Sequence, residues 1–369
     1  MASIIHARGG ISDQPELRML PAADLAPART LILLVIDGLG ADWLNKYSPQ
    51  GLLARHALGT ITSVFPTTTA TAITTILTGL APQQHAVTGW FTWLRELGTV
   101  LKILLGQPRY GGADYRQAKI DVSALLKLPS VFDRLSTPST LIAPRNIVNS
   151  PFNLALRGSA QVKTCGKLDD MRRKIERTLI EQPRPGYVYV YWPLLDHIGH
   201  YQGMHSAPAQ AHLHSIERTL ERLCEQLQGS DSLLLVTADH GQIDTRPEDA
   251  ILLPETVQEC LRLPLCGEPR AAFTYLRSGE ENQFADQFAE HLSSDFWCLR
   301  SEELIAQGLF GQGAPHPELH HRSGDLTLIG QGQRLLRDRL ATEQPFSQIG
   351  VHGGLDRGEL LVPLCLLRL

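Results

Sequence analysis

The sequence lacks closely paired cysteines. Its six cysteines are widely spread, and no two of them form a CxxC pair. They are Cys165, Cys224, Cys260, Cys266, Cys298 and Cys365. This spacing argues against a disulfide scaffold and against a cysteine-based zinc site. We therefore expect reduced thiols, as is typical of a cytoplasmic protein.

The sequence also lacks a long apolar run and a strong excess of charge. The apolar run at residues 31–36 is too short to span a bilayer. The first thirty residues contain Glu16 and Asp24 and have no continuous apolar segment of the signal-peptide kind. The net charge of −4 gives no general attraction for nucleic acid or anionic membranes. We expect a cytoplasmic protein without a membrane segment or a nucleic-acid partner.

Short apolar runs alternate with helical patterns along the chain. The runs at residues 31–36, 140–143, 187–192 and 233–237 are typical of strands that are buried on both faces. Helical patterns at residues 168–180 and 207–227 lie between them. This alternation predicts an α/β fold with a mostly parallel central sheet covered by helices on both faces. At 369 residues, one large domain with insertions or two ordinary domains would each bury a sizeable core.

Two stretches do not follow the strand–helix alternation. Residues 89–128 mix aromatic, glycine and basic residues, and we predict an inserted lid there. Residues 245–325 are rich in proline, which predicts an inserted subdomain. Trp90, Trp93 and Tyr110 are candidates to line a pocket above the site, although a packed subdomain core would use the same residues.

Acidic residues and histidines follow three of the predicted strands. Asp37 follows the first run, Asp196 the third, and Asp239 and His240 the fourth. The carboxyl ends of parallel strands lie on one edge of the sheet, where ligands bind in such folds. Asp196 and His200 are four positions apart, so one helical turn can present both to a single cation. Each pair alone is more often structural than metal-binding.

A threonine-rich turn, Phe-Pro-Thr-Thr-Thr-Ala-Thr-Ala at residues 65–72, leads into the apolar run at residues 73–77. A hydroxyl at the start of a helix can act as a nucleophile, and the unpaired N–H groups there can hold an oxyanion. Helix capping alone would also explain this composition. Thr67, Thr68 and Thr69 compete for the role of nucleophile, and we predict Thr67 to be the cap.

Seven of these residues, taken in order, resemble the metal-site series of the alkaline phosphatase superfamily, with its nucleotide pyrophosphatase/phosphodiesterase branch as the best match. The series is Asp37, Thr69, Asp196, His200, Asp239, His240 and His352. The motifs are Val-Ile-Asp-Gly, Phe-Pro-Thr-Thr-Thr, Asp-His-Ile-Gly-His, Ala-Asp-His-Gly and His-Gly-Gly. The resemblance implies an alkaline phosphatase-like catalytic domain that takes up residues 1–369, and its spacing to Thr78-Gly79 selects Thr69 as the nucleophile.

The resemblance also implies two divalent metal ions. It divides the ligands into two sites, formed by Asp37, Thr69, Asp239 and His240, and by Asp196, His200 and His352. Mixed carboxylate and imidazole ligands suit zinc, with manganese and iron as alternatives. The implied reaction cleaves a phosphodiester or pyrophosphate bond through a phosphoryl-threonine on Thr69. The expected partner is a small phosphoester, with a nucleotide as one candidate.

The sequence departs from that branch directly after Thr69. Ala70 and Ala72 stand where the branch has a phenylalanine and an asparagine, which hold the base and a phosphate oxygen. Tyr191 matches the aromatic residue that the branch sets against the base, although a core position on the sheet is an equal alternative. A phosphomonoesterase or phosphonate hydrolase on the same scaffold is therefore the second hypothesis. A non-catalytic metal-binding relative is the third.

Overall fold

The computed structural model describes residues 1–182, 185–341 and 343–369. The strands of these residues are β1 (Thr30–Ile36), β2 (Ala57–Thr62), β3 (Phe91–Leu94), β4 (Thr99–Lys102), β5 (Gln107–Pro108), β6 (Ser139–Ala143), β7 (Gln161–Thr164), β8 (Gly186–Trp192), β9 (Ser232–Thr237), β10 (Ile243–Asp244), β11 (Ile251–Leu252), β12 (Cys266–Glu268), β13 (Ala271–Thr274), β14 (Phe296–Arg300), β15 (Leu326–Gly330), β16 (Leu336–Arg337), β17 (Gly350–Val351) and β18 (Leu361–Arg368).

The helices of the same residues are α1 (Ala2–Ala7), α2 (Ala22–Leu25), α3 (Ala41–Tyr47), α4 (Leu52–Arg55), α5 (Thr69–Thr78), α6 (Pro82–His85), α7 (Val122–Leu126), α8 (Val131–Arg134), α9 (Arg145–Val148), α10 (Pro151–Leu156), α11 (Leu168–Glu181), α12 (Leu194–Gln202), α13 (Ala207–Leu227), α14 (Glu255–Glu259), α15 (Glu281–His291), α16 (Ser301–Ala306), α17 (Leu319–Ser323) and α18 (Arg357–Leu360). Within the described ranges, no helix is long and apolar enough to cross a membrane.

The central sheet has seven strands in the order β2-β18-β9-β1-β8-β6-β7. β1 pairs in parallel with β8 and β9, and β6 pairs in parallel with β7 and β8. β18 runs antiparallel to both of its neighbours. The four predicted strands are confirmed as β1, β6, β8 and β9, and the two predicted helices as α11 and α13. The predicted α/β fold with a mostly parallel sheet is therefore confirmed.

Helices cover both faces of this sheet because its central strands are apolar on both sides. In β1, Leu31, Leu33 and Val35 pack into one core, and Ile32, Leu34 and Ile36 pack into the other. The first core includes residues of α5, and the second includes residues of α11 and α13. Packing on each face removes a large apolar area from water, and this burial stabilises the fold by about 25 cal/mol per Å² of apolar surface.

A second sheet, antiparallel throughout, has the order β14-β15-β13-β12-β3-β4-β5. Its strands β3, β4 and β5 come from residues 89–128, and β12, β13 and β14 come from residues 245–325. The two stretches that do not follow the predicted alternation thus pair with each other. That both stretches are insertions, and that residues 89–128 act as a lid, remain predictions.

The carboxyl edge of the central sheet is held close to α12 by a glycine. Gly38 follows Asp37 with a φ of +78°. A Cβ atom at Gly38 would lie 3.0 Å from the Cα atom of Asp196. Only glycine accommodates both this backbone conformation and this close approach without strain. The loop after β1 and the start of α12 therefore lie side by side at the sheet edge.

Candidate active site

Three acidic and imidazole side chains form the first part of the site, at the ends of β1 and β9. The Nε2 atom of His240 lies 3.5 Å from Oδ1 of Asp37 and 3.6 Å from Oδ2 of Asp239. All three side chains are buried. One ligand atom from each of them lies within 4.8 Å of the others, which is close enough for a single cation to bind all three. The structure thus brings Asp37 together with two residues that lie 202 and 203 positions further along the chain.

A second set of side chains adjoins the first. Oδ2 of Asp196 lies 3.2 Å from Nε2 of His200, one helical turn away in α12. Oδ1 of Asp196 lies 3.8 Å from Nε2 of His352, whose ring stacks on that of His240 at a centroid distance of 3.7 Å. Asp196, His240 and His352 also lie within reach of a single ion. His240 therefore stands between the two groups.

The three histidines are oriented in the same way. The Nδ1–H of His200 donates to the carbonyl of Gly350 at 2.7 Å, and that of His352 donates to the carbonyl of Thr67 at 3.0 Å. The Nδ1–H of His240 donates to the carbonyl of Gly241 at 3.0 Å. In the neutral form of each imidazole, a proton on Nδ1 leaves the lone pair on Nε2, as is usual for histidines that bind metals.

The buried carboxylates each leave an oxygen for another partner. Oδ1 of Asp239 accepts from the backbone N–H groups of Gly38 and His240 at 3.3 and 3.0 Å, whereas Oδ2 has no hydrogen-bond partner among the described residues. Asp37 accepts the hydroxyl of Tyr191 on Oδ2, and its Oδ1 is likewise without a described partner. Both unpartnered oxygens point at Nε2 of His240. A buried anionic oxygen without a partner is costly, so these donors fit a bound cation.

The electrostatics of the site lead to the same conclusion. Burial, and then the charges of Asp196 and Asp239, raise the pKa of Asp37 well above its ordinary value. Burial, and then the charge of His240, lower the pKa of His352 well below its ordinary value. Burial also opposes protonation of His200, but the charge of Asp196 outweighs it and raises the pKa to about 9. A divalent cation would stabilise the ionised carboxylates and the neutral imidazoles together.

Thr69 is the first residue of α5 and lies against this centre. Its Oγ1 is 3.1 Å from Nε2 of His240. The first backbone amide of this helix to bond within it is that of Ala72, which donates to the carbonyl of Thr68 at 2.9 Å. The preceding helical N–H groups therefore face outward at the positive end of the helix dipole. Such a helix start can hold an anion beside the Thr69 hydroxyl.

The other two threonines of the turn have different partners. The prediction that Thr67 caps the helix is wrong, because the N-cap residue is Thr68. The hydroxyl of Thr67 donates to the carbonyl of Gly354 at 2.8 Å and accepts from Gly353 N–H at 3.1 Å. It thereby fixes the turn that carries His352. The hydroxyl of Thr68 donates to Glu268 at 2.6 Å instead of capping the helix.

Tyr191 lies beneath the site. Its side chain is only 5% exposed and packs in the core on the α5 side of the sheet. Its hydroxyl donates to Asp37. The sequence left two alternatives for Tyr191, a core position on the sheet and a role in substrate binding. The observed position is the core one. In the structure Tyr191 is placed to orient Asp37.

A cavity of about 420 Å³ opens over the centre. Thr69, Asp196, His200 and His352 line one part of it. Of the three aromatic residues considered for its wall, Trp90 lines the cavity. Trp93 packs against the core of the second sheet, and Tyr110 is 52% exposed at the surface.

The two alanines that follow Thr69 are both buried. Ala70 belongs to the core on the α5 side of the sheet. Ala72 lines a separate, mainly apolar cavity of about 210 Å³ that Asp239 also reaches. Neither side chain can donate a hydrogen bond, so any polar contact with a substrate near Thr69 must come from other residues.

Two residues of the site were missed in the sequence. Glu268, at the end of β12, accepts from the hydroxyl of Thr68 at 2.6 Å and from Trp90 N–H at 2.7 Å, and it lines the cavity. Gln242 donates its amide to a carboxylate oxygen of Asp196. Gln242 follows His240 by two positions at a strand end, which is a signal that could have been used. Glu268 has no recognisable motif around it.

Carboxylates and imidazoles grouped beside a helix-terminal hydroxyl suit a hydrolase that uses divalent metals to cleave phosphoesters. The sequence profile of the family "type I phosphodiesterase / nucleotide pyrophosphatase" matches residues 31–354, and the chain belongs to this family. Members use divalent metals, and membership makes the chain a metal-dependent phosphoester hydrolase. A search of curated proteins gave no match.

Solved structures of the alkaline phosphatase superfamily share the fold. Murine ectonucleotide pyrophosphatase/phosphodiesterase 5 has a TM-score of 0.67 and 16% identity, covering 90% of this chain and 87% of that one. An inactive threonine-to-alanine form of the murine protein in complex with AMP has a TM-score of 0.65 and 15% identity, covering 91% and 87%. Phosphonoacetate hydrolase from Sinorhizobium meliloti, in complex with phosphonoformate, has a TM-score of 0.64 and 16% identity, covering 93% and 90%. At these identities the likeness establishes the shared fold.

Proposed function

We propose that the protein is a two-metal hydrolase that cleaves a phosphodiester or pyrophosphate bond through a phosphoryl-threonine intermediate on Thr69. The observation that carries this proposal is the position of the Thr69 hydroxyl, 3.1 Å from Nε2 of His240 and at the amino terminus of α5. Thr69, Asp196, His200 and His352 line the same cavity, which supports a reaction at Thr69 beside the proposed ligands. The inactive threonine-to-alanine form of the murine neighbour lends support from a protein of the same fold.

The ligands divide into two proposed sites. These are Asp37, Thr69, Asp239 and His240, and Asp196, His200 and His352. The mixed oxygen and nitrogen donors favour zinc, with manganese and iron as alternatives. Two divalent cations would lower the pKa of the threonine hydroxyl and neutralise charge on the phosphoryl oxygens.

The residues of the chain have separate parts in the proposed reaction. Oγ1 of Thr69 forms the bond to phosphorus while the bond to the leaving group breaks, and the leaving group takes up the proton that the hydroxyl gives up. The outward N–H groups at the start of α5 hold a phosphoryl oxygen as charge develops on it. Tyr191 holds Asp37 in place, and the carbonyls bonded to the Nδ1 atoms keep the histidines in position. Water then attacks phosphorus, which releases phosphate or a phosphate monoester and restores the hydroxyl of Thr69.

A small phosphoester is the proposed substrate. AMP, bound in the murine neighbour, makes a nucleotide one candidate. Phosphonate hydrolysis is the second candidate function, because the bacterial neighbour is a phosphonoacetate hydrolase and because Arg337 lines the cavity. A cytoplasmic location, which suits six free cysteines, completes the proposal and is tested by cell fractionation.

The test combines metal removal with substitution of Thr69. The protein is treated with a chelator and then supplied with zinc or manganese, and hydrolysis of a chromogenic phosphodiester, a monoester and a phosphonate is measured. We expect activity to depend on metal and Thr69→Ala to lower kcat by roughly a thousandfold or more. Thr69→Ser should retain part of the activity, since it keeps a hydroxyl at the same place.

Thr256→Ala is the matched control, because Thr256 is an exposed threonine in the first turn of another helix, α14. Rapid acid quenching followed by peptide mass spectrometry should find the phosphoryl group on the peptide with Thr69. Full activity in chelator, or in Thr69→Ala, would sink the proposal. Bound metal without turnover of any of these substrates would favour a non-catalytic relative.

A further inference from the structure

The cavity over the metal ligands has a second polar wall that the proposed reaction does not use. Phe91, Arg109, Arg337 and Phe346 line this wall. Leu336 N–H donates to the carbonyl of Pro269 at 2.9 Å, and Pro269 directly follows Glu268, which bonds Thr68. A short series of backbone and side-chain contacts therefore connects Arg337 to the residue next to Thr69.

Arg109 is already bound on several sides. It donates to Asp338 at 2.5 Å, to Glu343 at 2.8 Å and to the carbonyl of Leu265 at 2.5 Å. Its guanidinium also stacks on Phe91 at 4.2 Å from the ring centroid. These contacts give Arg109 a structural role in the wall, and they engage both neighbouring carboxylates.

Arg337 has a different environment. Its backbone is fixed by pairing of β16 with β11 and by a bond of 2.6 Å from Leu253 N–H to its carbonyl. Its guanidinium stacks on Phe346 at 4.3 Å from the ring centroid, and it forms no hydrogen bond or ion pair within the described part of the chain. Asp338 and Glu343 favour the charged form of Arg337 and Arg109 opposes it, but within the described part of the chain the Arg337 guanidinium donates no hydrogen bond to either carboxylate. Burial has the largest effect and lowers the pKa of Arg337 from its ordinary value.

We propose that Arg337, held on the face of Phe346, binds a second anionic group of the substrate, either a carboxylate or a phosphate, while the phosphoryl group that reacts lies at Thr69. This inference rests on the proposed function and names the class of substrate for that same site. The planar guanidinium offers paired N–H donors that match the two oxygens of a carboxylate or phosphate. Stacking on Phe346 limits the conformations of the side chain, so less entropy is lost when the anion binds.

Matched chromogenic diesters test the proposal. One is a p-nitrophenyl phosphodiester with a carboxyethyl group, the second has a phosphoethyl group, and the third has a neutral propyl group. We expect the wild-type protein to have a higher kcat/KM for the anionic diesters. Arg337→Ala should lower the ratio of anionic to neutral kcat/KM by about tenfold or more, because a charge-assisted hydrogen bond is lost. Arg337→Lys should recover part of the preference. Comparison of the carboxyethyl with the phosphoethyl diester shows whether the second anionic group is a carboxylate or a phosphate.

Arg246→Ala is the control, since Arg246 is an exposed arginine paired with Asp249. It should leave the ratio unchanged. An equal ratio in wild-type protein and Arg337→Ala would overturn the assignment of Arg337.

Calorimetry separates this inference from the proposed function. Binding of the carboxyethyl and propyl diesters is measured with Thr69→Ala and with Thr69→Ala combined with Arg337→Ala, both loaded with zinc. These measurements need no turnover. If the wild-type protein hydrolyses none of the diesters, the proposed function fails, and a preference of Thr69→Ala for the carboxyethyl diester still supports Arg337. Equal binding of both diesters by Thr69→Ala argues against Arg337 whatever the catalytic result.

Discussion

At the scale of single residues, the side chains that orient the proposed ligands each bond one particular oxygen of a ligand. Tyr191 in β8 bonds one oxygen of Asp37 and leaves the other directed at His240. Gln242 similarly occupies an oxygen of Asp196. Such supporting bonds hold a ligand in the geometry that a cation requires, so their loss weakens metal binding without removing a ligand.

Tyr191→Phe tests this role. The change leaves an oxygen of Asp37 buried without its donor, and we expect metal affinity to fall by roughly 10–100-fold. Affinity is measured by competition with a chelating dye. Tyr187→Phe is the control, because Tyr187 points to the same face of β8 and its buried hydroxyl has no hydrogen-bond partner in the described ranges. Equal effects of the two changes would show that Tyr191 acts through packing alone.

Position after a predicted strand was enough to propose Asp37, Asp196, Asp239 and His240 as candidate site residues, whereas Thr69, His200 and His352 depended on local motifs and on the family resemblance. Asp37 directly follows β1, and Asp239 and His240 lie two and three positions after the end of β9. A parallel sheet brings such positions to one edge. Glu268 and Arg337 could not be found in this way. Glu268 belongs to β12 of the second sheet, and Arg337 belongs to β16, which forms a separate two-stranded sheet with β11. The position of both short strands depends on distant pairings rather than on a local pattern. Thr67 was misjudged because its partner lies 287 positions away, at Gly354.

At the scale of elements, β12 connects the second sheet to the start of helix α5. Oε1 of Glu268 accepts both the hydroxyl of Thr68 and the N–H of Trp90. Burial raises the pKa of Glu268 to about 7 from an ordinary 4.5. The folded protein therefore binds this proton more tightly than the unfolded chain does. The stability that this provides is greatest below about pH 4.5 and is lost as the pH rises towards 7.

Glu268→Gln should remove this pH dependence, because the glutamine oxygen can accept both hydrogen bonds and does not ionise. The quantity compared is the free energy of unfolding of the variant minus that of the wild type, both metal-free. We expect this difference to increase by roughly 3 kcal/mol from pH 4.5 to pH 8, because only the wild type loses stability as Glu268 ionises. Urea unfolding at several pH values measures it. Glu281→Gln, at an exposed site in α15, should give no such trend. A wild-type-like pH profile of Glu268→Gln would contradict the prediction.

The central strands β1, β6, β8 and β9 could be predicted because each contains a buried apolar run, whereas β2, β7 and β18 of the same sheet and the strands of the second sheet were not predicted. Its strands are two to five residues long and alternate with turns and prolines, and their partners are far apart in sequence. β12, for example, pairs through Gly267 with Phe91. Pairings of this kind are selected by tertiary packing rather than by intrinsic propensity.

At the scale of the whole molecule, a buried ion pair joins the two sheets. Arg270, between β12 and β13, donates to Glu359 of α18 at 2.8 and 3.1 Å, and both side chains are almost fully buried. The other oxygen of Glu359 accepts the N–H of Gly354 at 2.7 Å. The pair therefore also fixes the turn that carries His352.

Arg270→Ala leaves Glu359 buried and unpaired, and we expect a loss of about 3–5 kcal/mol in the free energy of unfolding. Urea unfolding measures the loss. Arg246→Ala, which breaks a surface pair, should cost less than about 1 kcal/mol. A cost for Arg270→Ala as small as that of the surface pair would mean that the sheets are held together by apolar packing alone.

The place of β18 has a consequence for how the protein is made. β18 lies between β2 and β9, and within the described sheet β2 pairs with no other strand. While the ribosome has not yet released residues 352–368, β2 has no place in the sheet, β9 keeps an open edge, and His352 is missing from the proposed ligand set. The growing chain can therefore form the β1–β9 pair early, whereas the proposed two-metal site can be completed only after His352 and the following strand are in place.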